Sequence, residues 1–153
     1  LSINLPSLFL GLYNIEGSKA ISKGVSLHLP LSWSPHTLRG DRRVKHFIVM
    51  AGARGWSWHC YSGLFYGGYA TAGIFNLNHR EFRYQGEGAG ATITAGYSKM
   101  LSRHFNLEIE GGLFVGLLHY QRYEGRCCGN FIEERWRGSL LPFKLSLSLL
   151  YLF

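Results

Sequence analysis

Apolar side chains recur at every second position over unusually long stretches, and this period of two limits what the chain can fold into. At the C-terminal end Leu141, Phe143, Leu145, Leu147, Leu149, Tyr151 and Phe153 hold one parity, while Pro142, Lys144, Ser146 and Ser148 hold the other. Successive side chains of a strand point to opposite faces, so the pattern predicts a ribbon with one oily and one polar side. The run over 141–153 is longer than the usual strand of about 5–6 residues. It suits a tilted membrane strand of roughly 9–11 residues with a short extension. Val25–Trp33 repeats the pattern, with Leu27, Leu29 and Leu31 against Ser26, His28 and Ser32. Pro30 interrupts it and removes one ladder hydrogen bond.

Weaker repeats lie between. Ala89, Ala91, Ile93, Ala95 and Tyr97 alternate with Gly and Thr, and Leu107, Ile109, Leu113, Val115 and Leu117 oppose Glu108, Glu110, Gly112 and Gly116. Phe47, Val49, Ala51 and Ala53 oppose His46, Met50 and Arg54, while the facing within Leu64–Phe75 is ambiguous. Eight strands are predicted, at 1–6, 8–19, 24–34, 44–56, 62–76, 86–99, 104–123 and 138–153. Short connections at Ile21–Gly24, Ser57–Tyr61 and Met100–His104 alternate with long ones at Ser34–Arg43, Asn76–Glu87 and Glu124–Arg137. Pro6–Ser7 is the exception. Short inner turns, longer outer loops and an even strand number are the pattern of outer-membrane barrels.

Composition narrows the class further. Only 16% of residues are charged and 20 are Gly, yet the mean hydropathy is near zero. Apolar and polar residues are therefore interleaved rather than segregated. No stretch approaches the roughly 18–20 apolar residues of a membrane helix; Gly111–Tyr120 is too short and too rich in Gly. Hydrocarbon offers the backbone no hydrogen-bond partner, so a spanning chain must be helical or a closed sheet. One domain, 1–153, is expected: an all-β, eight-stranded antiparallel transmembrane barrel with a closed, side-chain-filled lumen. No signal peptide is visible at the start, which decides nothing about export.

The polar parity carries Glu16, Arg54, Glu108, Glu110 and Lys144. Charges inside an eight-stranded barrel must pair with one another, because the interior is just wide enough for side chains. A charge network is expected there, with Arg54 facing one of the glutamates.

The net charge of +7 does not point to nucleic acid, because the basic residues fall between the alternating runs instead of gathering on one face. Arg39, Arg42, Arg43 and Lys45 form a basic cluster in the second outer loop, facing Asp41. Basic groups at a membrane surface attract anionic head groups, so this cluster is a candidate for lipopolysaccharide phosphates. Lys19, Lys23, Lys99 and Arg103 add positive charge at the inner turns. Trp33, Trp56, Trp58, Tyr61, Tyr97, Tyr120, Tyr123, Tyr151 and Phe153 are expected at strand ends, where aromatic girdles form. Cys60, Cys127 and Cys128 have no spacing of a zinc site or a disulfide framework. Cys60 is expected at the membrane face opposite the other two. No metal or cofactor is expected.

The chain resembles a family of small outer-membrane proteins of Bacteroidetes catalogued as domain of unknown function 3575. The resemblance runs through Asn4-Leu5, Ile15-Glu16, Arg54-Gly55-Trp56, Gly63-Leu-Phe-Tyr-Gly-Gly-Tyr69 and Arg83-Tyr-Gln-Gly-Glu87. It continues through Gly96-Tyr97, Asn106-Leu107-Glu108, Tyr120–Tyr123 and Leu149–Phe153. The chain departs in having Gly55, where an aromatic often follows the Arg, and Pro142-Phe-Lys, where Pro-Thr-Lys is common. The resemblance implies the fold and an outer-membrane location, with termini periplasmic and long loops extracellular. It implies no mechanism. Tyr151 and Phe153 also resemble the C-terminal signal read by the barrel assembly machinery.

Nothing marks a catalyst: the chain has no G-x-S-x-G, H-E-x-x-H or P-loop. The most suggestive set is His119 with Ser139 and Glu124 near the outer rim, which would suit a lipid-A-modifying enzyme. The expectation is a non-enzymatic integral barrel, a structural accessory subunit of a larger outer-membrane complex. Small residues around 51–53, 67–72 and 89–95 would let another barrel or helix approach closely. A soluble lipocalin-like carrier is the remaining alternative.

Overall fold

The computed structural model describes residues 1–5, 12–35, 37–38, 42–79, 82–124 and 131–152. Nine strands follow in chain order: β1 Ser2–Asn4, β2 Tyr13–Ser22, β3 Val25–Ser34, β4 Thr37–Leu38, β5 Arg42–Trp56, β6 Gly63–His79, β7 Phe82–Met100, β8 Phe105–Glu124 and β9 Phe131–Tyr151. Eight of them pair antiparallel in the order β3-β2-β1-β9-β8-β7-β6-β5, and a β3–β5 ladder closes the ring. The two-residue β4 pairs only with β5, at Thr37↔Arg43 and Leu38↔Arg42. The architecture is thus a closed eight-stranded antiparallel barrel. Among the described residues no helix is long and apolar enough to cross a membrane.

The alternation resolves into inside and outside, with the apolar side outward. On β3, Leu27 and Leu29 are 50% and 49% exposed while Ser26 and His28 are buried. On β9, Leu145 and Leu147 are exposed and Ser146 is buried. The ambiguous β6 resolves the same way, with Phe65, Tyr69 and Thr71 inside and Leu64, Tyr66 and Ile74 outside. Pro30 is accommodated by a gap: the β3–β5 ladder passes from His28↔Gly52 to Leu31↔Val49. Its missing N–H therefore faces an interrupted rung.

Several expectations need correction. The outer loops expected at Asn76–Glu87 and Glu124–Arg137 are largely strand, since Asn76↔Gln85, Asn78↔Arg83, Gln121↔Glu134 and Leu118↔Arg137 are ladder pairs. Polar side chains had suggested loop, but the ladder needs only backbone groups. The four strands β6–β9 therefore run on beyond the apolar positions. Polar pairs take over there.

A bulge also breaks the C-terminal alternation. Gly112 pairs with Lys144 and Leu113 with Pro142, leaving Phe143 as the extra residue. One inserted residue reverses the facing upstream, so Leu140 is 67% exposed and Leu141 does not share the outward parity of Leu145. Pro142, assigned to the polar side, is exposed beside Leu113. Three expected girdle aromatics also turn inward: Trp56 is buried, Tyr61 leans on it with ring centroids 5.5 Å apart, and Tyr120 shares the inward parity of Phe114 on β8.

The rim carrying the turns at 23–24, 57–62 and 101–104 is stitched together. Trp56 N donates to Gly24 O, Cys60 N to Lys23 O and Leu152 N to His104 O, at 2.8–2.9 Å. Tyr61 has φ of 68°, a conformation that non-Gly residues rarely adopt. It aims the Tyr61 carbonyl at two donors across the rim, Ser98 Oγ at 3.0 Å and Asn106 Nδ2 at 2.6 Å.

Candidate functional site

The charges on the inward parity converge at one level of the interior. Arg54 reaches Glu16 (2.8 Å), Glu108 (3.1 Å) and Glu110 (2.9 Å). Lys144 closes the set, 2.7 Å from Glu110 and 3.5 Å from Glu16. The five residues predicted to form a network are therefore brought together, and Arg54 meets three carboxylates instead of one. It is 1% exposed. Such desolvation is tolerable only because the planar guanidinium spreads several donors over several acceptors.

Residues that the sequence reading did not single out complete the cluster. Arg54 Nε donates to Tyr69 Oη at 2.6 Å, and its guanidinium lies 4.6 Å from the centre of the Phe65 ring. Lys144 Nζ sits 5.0 Å from the Tyr69 ring. Gly67 makes room for this packing: a Cβ there would stand 2.6 Å from Thr94 Oγ1 and 2.9 Å from the Tyr69 ring. The sequence left the facing of Phe65 and Tyr69 open; the β5–β6 register sets both on the inner face at the height of Arg54.

A second chain of hydrogen bonds leads away from Glu16. His28 Nδ1 lies 2.6 Å from Glu16 Oε1, His28 Nε2 lies 2.7 Å from Ser26 Oγ, and Trp56 Nε1 donates to Ser26 Oγ at 2.7 Å. The order Ser–His–Glu matches a nucleophile triad. Its surroundings do not: Ser26 is 0% exposed, its oxygen already accepts from Trp56, and Glu16 is shared with Arg54. The relay links β2, β3 and β5 from the inside. Toward the opposite rim, a cavity of about 260 Å³ is bordered by Asn4, Glu16, Ser32, His46 and Lys144.

The other candidates disperse. His119 does not join Ser139, and the side chain of Glu124 lies outside the described residues. It bonds Glu134 at 2.6 Å, stacks on Trp136 with centroids 4.5 Å apart, and lies 3.7 Å from Glu87. Ser139 instead pairs with Gly116 on the ladder. In the basic cluster, Lys45 is exposed; Arg39 and the side chains of Arg42 and Arg43 lie outside the described residues. So do Cys127, Cys128 and Phe153. Tyr151 is exposed, with its ring 5.2 Å from that of Phe105. Cys60 sits in the 57–62 turn with Sγ 3.0 Å from Ser22 O, and burial pushes its thiol up. Among the described residues, no three His, Cys, Asp or Glu are grouped to hold a metal.

None of the curated proteins and none of the solved structures matches the chain. Over residues 1–153 it matches the family described as Protein of unknown function (DUF3575). With its closed eight-stranded ring and its buried arginine–carboxylate cluster, the chain belongs to the DUF3575 family.

Proposed function

We propose that this protein is a non-enzymatic integral barrel of the bacterial outer membrane, serving as an accessory subunit of a larger membrane complex. The observation that carries the reading is the outward apolar belt. On β8, Phe105, Ile109, Leu113, Val115 and Leu117 all face out and are exposed. At about 3.3 Å per residue and a tilt of about 40°, the span from Phe105 to Leu117 is roughly 30 Å along the barrel axis. The apolar band of a membrane barrel is about 25 Å tall. Above Leu117 the outward positions become His119 and Gln121, paired with Glu87 and Gln85, so the belt has an upper edge. In water this surface would far exceed the few hundred Å² of apolar patch that soluble monomers expose.

The interior supports a structural role over transport. Arg54, its carboxylates and the buried Trp56 and Phe65 leave the lumen no continuous path in this reading, and an eight-stranded barrel has little width to spare. Ser26 is shut away, which disfavours a lipid-A-modifying enzyme. For the accessory role, Ala51, Ala70 and Ala91 form one outward row and Ala53 and Gly68 lie in the next. Side chains this small let a partner barrel or helix pack closely. The termini then lie on the periplasmic side, and Arg39, Arg42, Arg43 and Lys45 face lipopolysaccharide phosphates. Tyr151 and Phe153 would be read by the assembly machinery.

Quenching by brominated lipids tests the reading. In reconstituted bilayers, Trp33 and Trp136, both outward, are quenched, whereas Trp56 is shielded. A chain that stays monodisperse in buffer without detergent, and ignores bilayers, overturns it. Gentle detergent extraction followed by mass analysis tests the accessory role, which stands only if another outer-membrane protein co-purifies.

A further inference from the structure

Charge is divided unevenly between the two ends of the barrel. Of the nine acidic residues, Glu16, Glu108 and Glu110 are in the interior cluster. Glu87, Glu124, Glu133 and Glu134 lie on strand segments near the opposite end. Asp41 and Glu81 fall in sequence between strands that meet at that same end. Among the described residues the stitched rim therefore carries no acidic side chain, yet it carries Lys19, Lys23, Lys99 and Arg103, all exposed.

These four cations form two matching pairs. Lys19-Ala-Ile-Ser-Lys23 ends the first strand of the β2–β3 hairpin, and Lys99-Met-Leu-Ser-Arg103 ends the first strand of the β7–β8 hairpin. In each, the leading Lys projects from the outer wall, opposite Leu27 or Leu107 on the ladder. The second cation sits in the turn, four positions on. Between them lie bare apolar side chains, Ile21 at 62% and Leu101 at 55% exposed. The ring order leaves two strands between the hairpins on either side, so they stand diametrically opposed. Hydrogen bonds from the 57–62 turn to Lys23 and to Ser98 and Asn106 hold the rim in place.

We propose that each hairpin is a binding site for the headgroup of an anionic phospholipid, its phosphate held between the wall lysine and the turn cation. The inference rests on the membrane reading above. Lysine on an outer wall lays its aliphatic stem along neighbouring apolar groups and lifts its charge to the interface. Ile21 and Leu101 meet the glycerol and upper acyl region while the cations meet the phosphate. A neutral headgroup carries no net charge to favour such a pair.

The test uses the full chain reconstituted in nanodiscs holding equal phosphatidylglycerol and phosphatidylcholine. Lipids kept on transfer to detergent are then counted by native mass spectrometry. The expected result is retention of up to two phosphatidylglycerol molecules per chain in preference to phosphatidylcholine. Lys19→Gln with Lys23→Gln removes one and adding Lys99→Gln with Arg103→Gln removes both, with affinity falling about fivefold per cation lost. Replacing Lys19, Lys23 and Lys99 by Arg keeps binding, which separates charge from folding. Equal retention of the two lipids, or undiminished retention by the four-Gln variant, overturns the proposal. Failure of the wild type to enter nanodiscs at all marks a failure of the membrane reading instead, and the sites fall with it.

Discussion

Arg54 on β5 and Glu110 on β8 stand 2.9 Å apart across the interior, separated by 56 positions in the chain. No ladder joins their strands; β6 and β7 lie between them. The pair therefore forms only when the sheet curls enough to bring the two strands face to face across the interior. It ties the stability of the cluster to that of the barrel.

Removing the guanidinium leaves three carboxylates with Lys144 as the remaining cation of the cluster. Arg54→Gln is expected to destabilise the folded barrel by about 3–5 kcal/mol, read from the urea unfolding midpoint. Combining it with Glu110→Gln recovers part of the loss, because one fewer charge is stranded. A single-variant change below about 0.5 kcal/mol would show the cluster to be energetically idle.

Neighbouring glycines should respond in opposite ways. Gly67 faces inward, where a Cβ would lie 2.9 Å from the Tyr69 ring, while Gly68 faces outward with nothing within 4 Å. Gly67→Ala is expected to cost about 1–3 kcal/mol through overpacking, and Gly68→Ala less than about 0.5. Equal effects in unfolding titrations would contradict the assigned facing.

An arginine in the middle of the belt separates lipid from water outside the barrel. Ile93 is 60% exposed on β7. In a bilayer, Ile93→Arg costs about 2–4 kcal/mol, seen as a lower unfolding midpoint in liposomes. In a soluble barrel the same change would be neutral or would improve solubility.

Cys60 offers a test of the stitched rim. Burial raises its thiol above the ordinary value, so the folded state disfavours the thiolate. At pH 8 iodoacetamide should modify it more slowly than an unstructured cysteine peptide, with the gap closing as pH rises. By the same sign, its contribution to stability is present below the ordinary thiol value and lost as pH climbs through the raised one. Alkylation as fast as the peptide's would mean that the 57–62 turn is open.

Much of the architecture was legible because pleating is local. A strand sends alternate side chains to opposite faces whatever surrounds it, so Leu27, Ile93 and Leu147 could be grouped on one side and Glu16, Arg54 and Glu110 on the other. Loops were less legible. Asn76, Gln85, Gln121 and Glu134 are polar, but a ladder is built from backbone amides, and only pairing reveals that those strands continue.

The alternation along the chain by itself determined a sheet with one oily and one polar face, and which charged residues had to seek partners within it. Tertiary structure decided the rest. The bulge at Phe143, the inward turn of Trp56, and the common height of Arg54, Glu16, Tyr69 and Lys144 all depend on how far each strand is staggered against the next. Stagger is a property of the closed ring, set when the last ladder forms, and no single strand contains it.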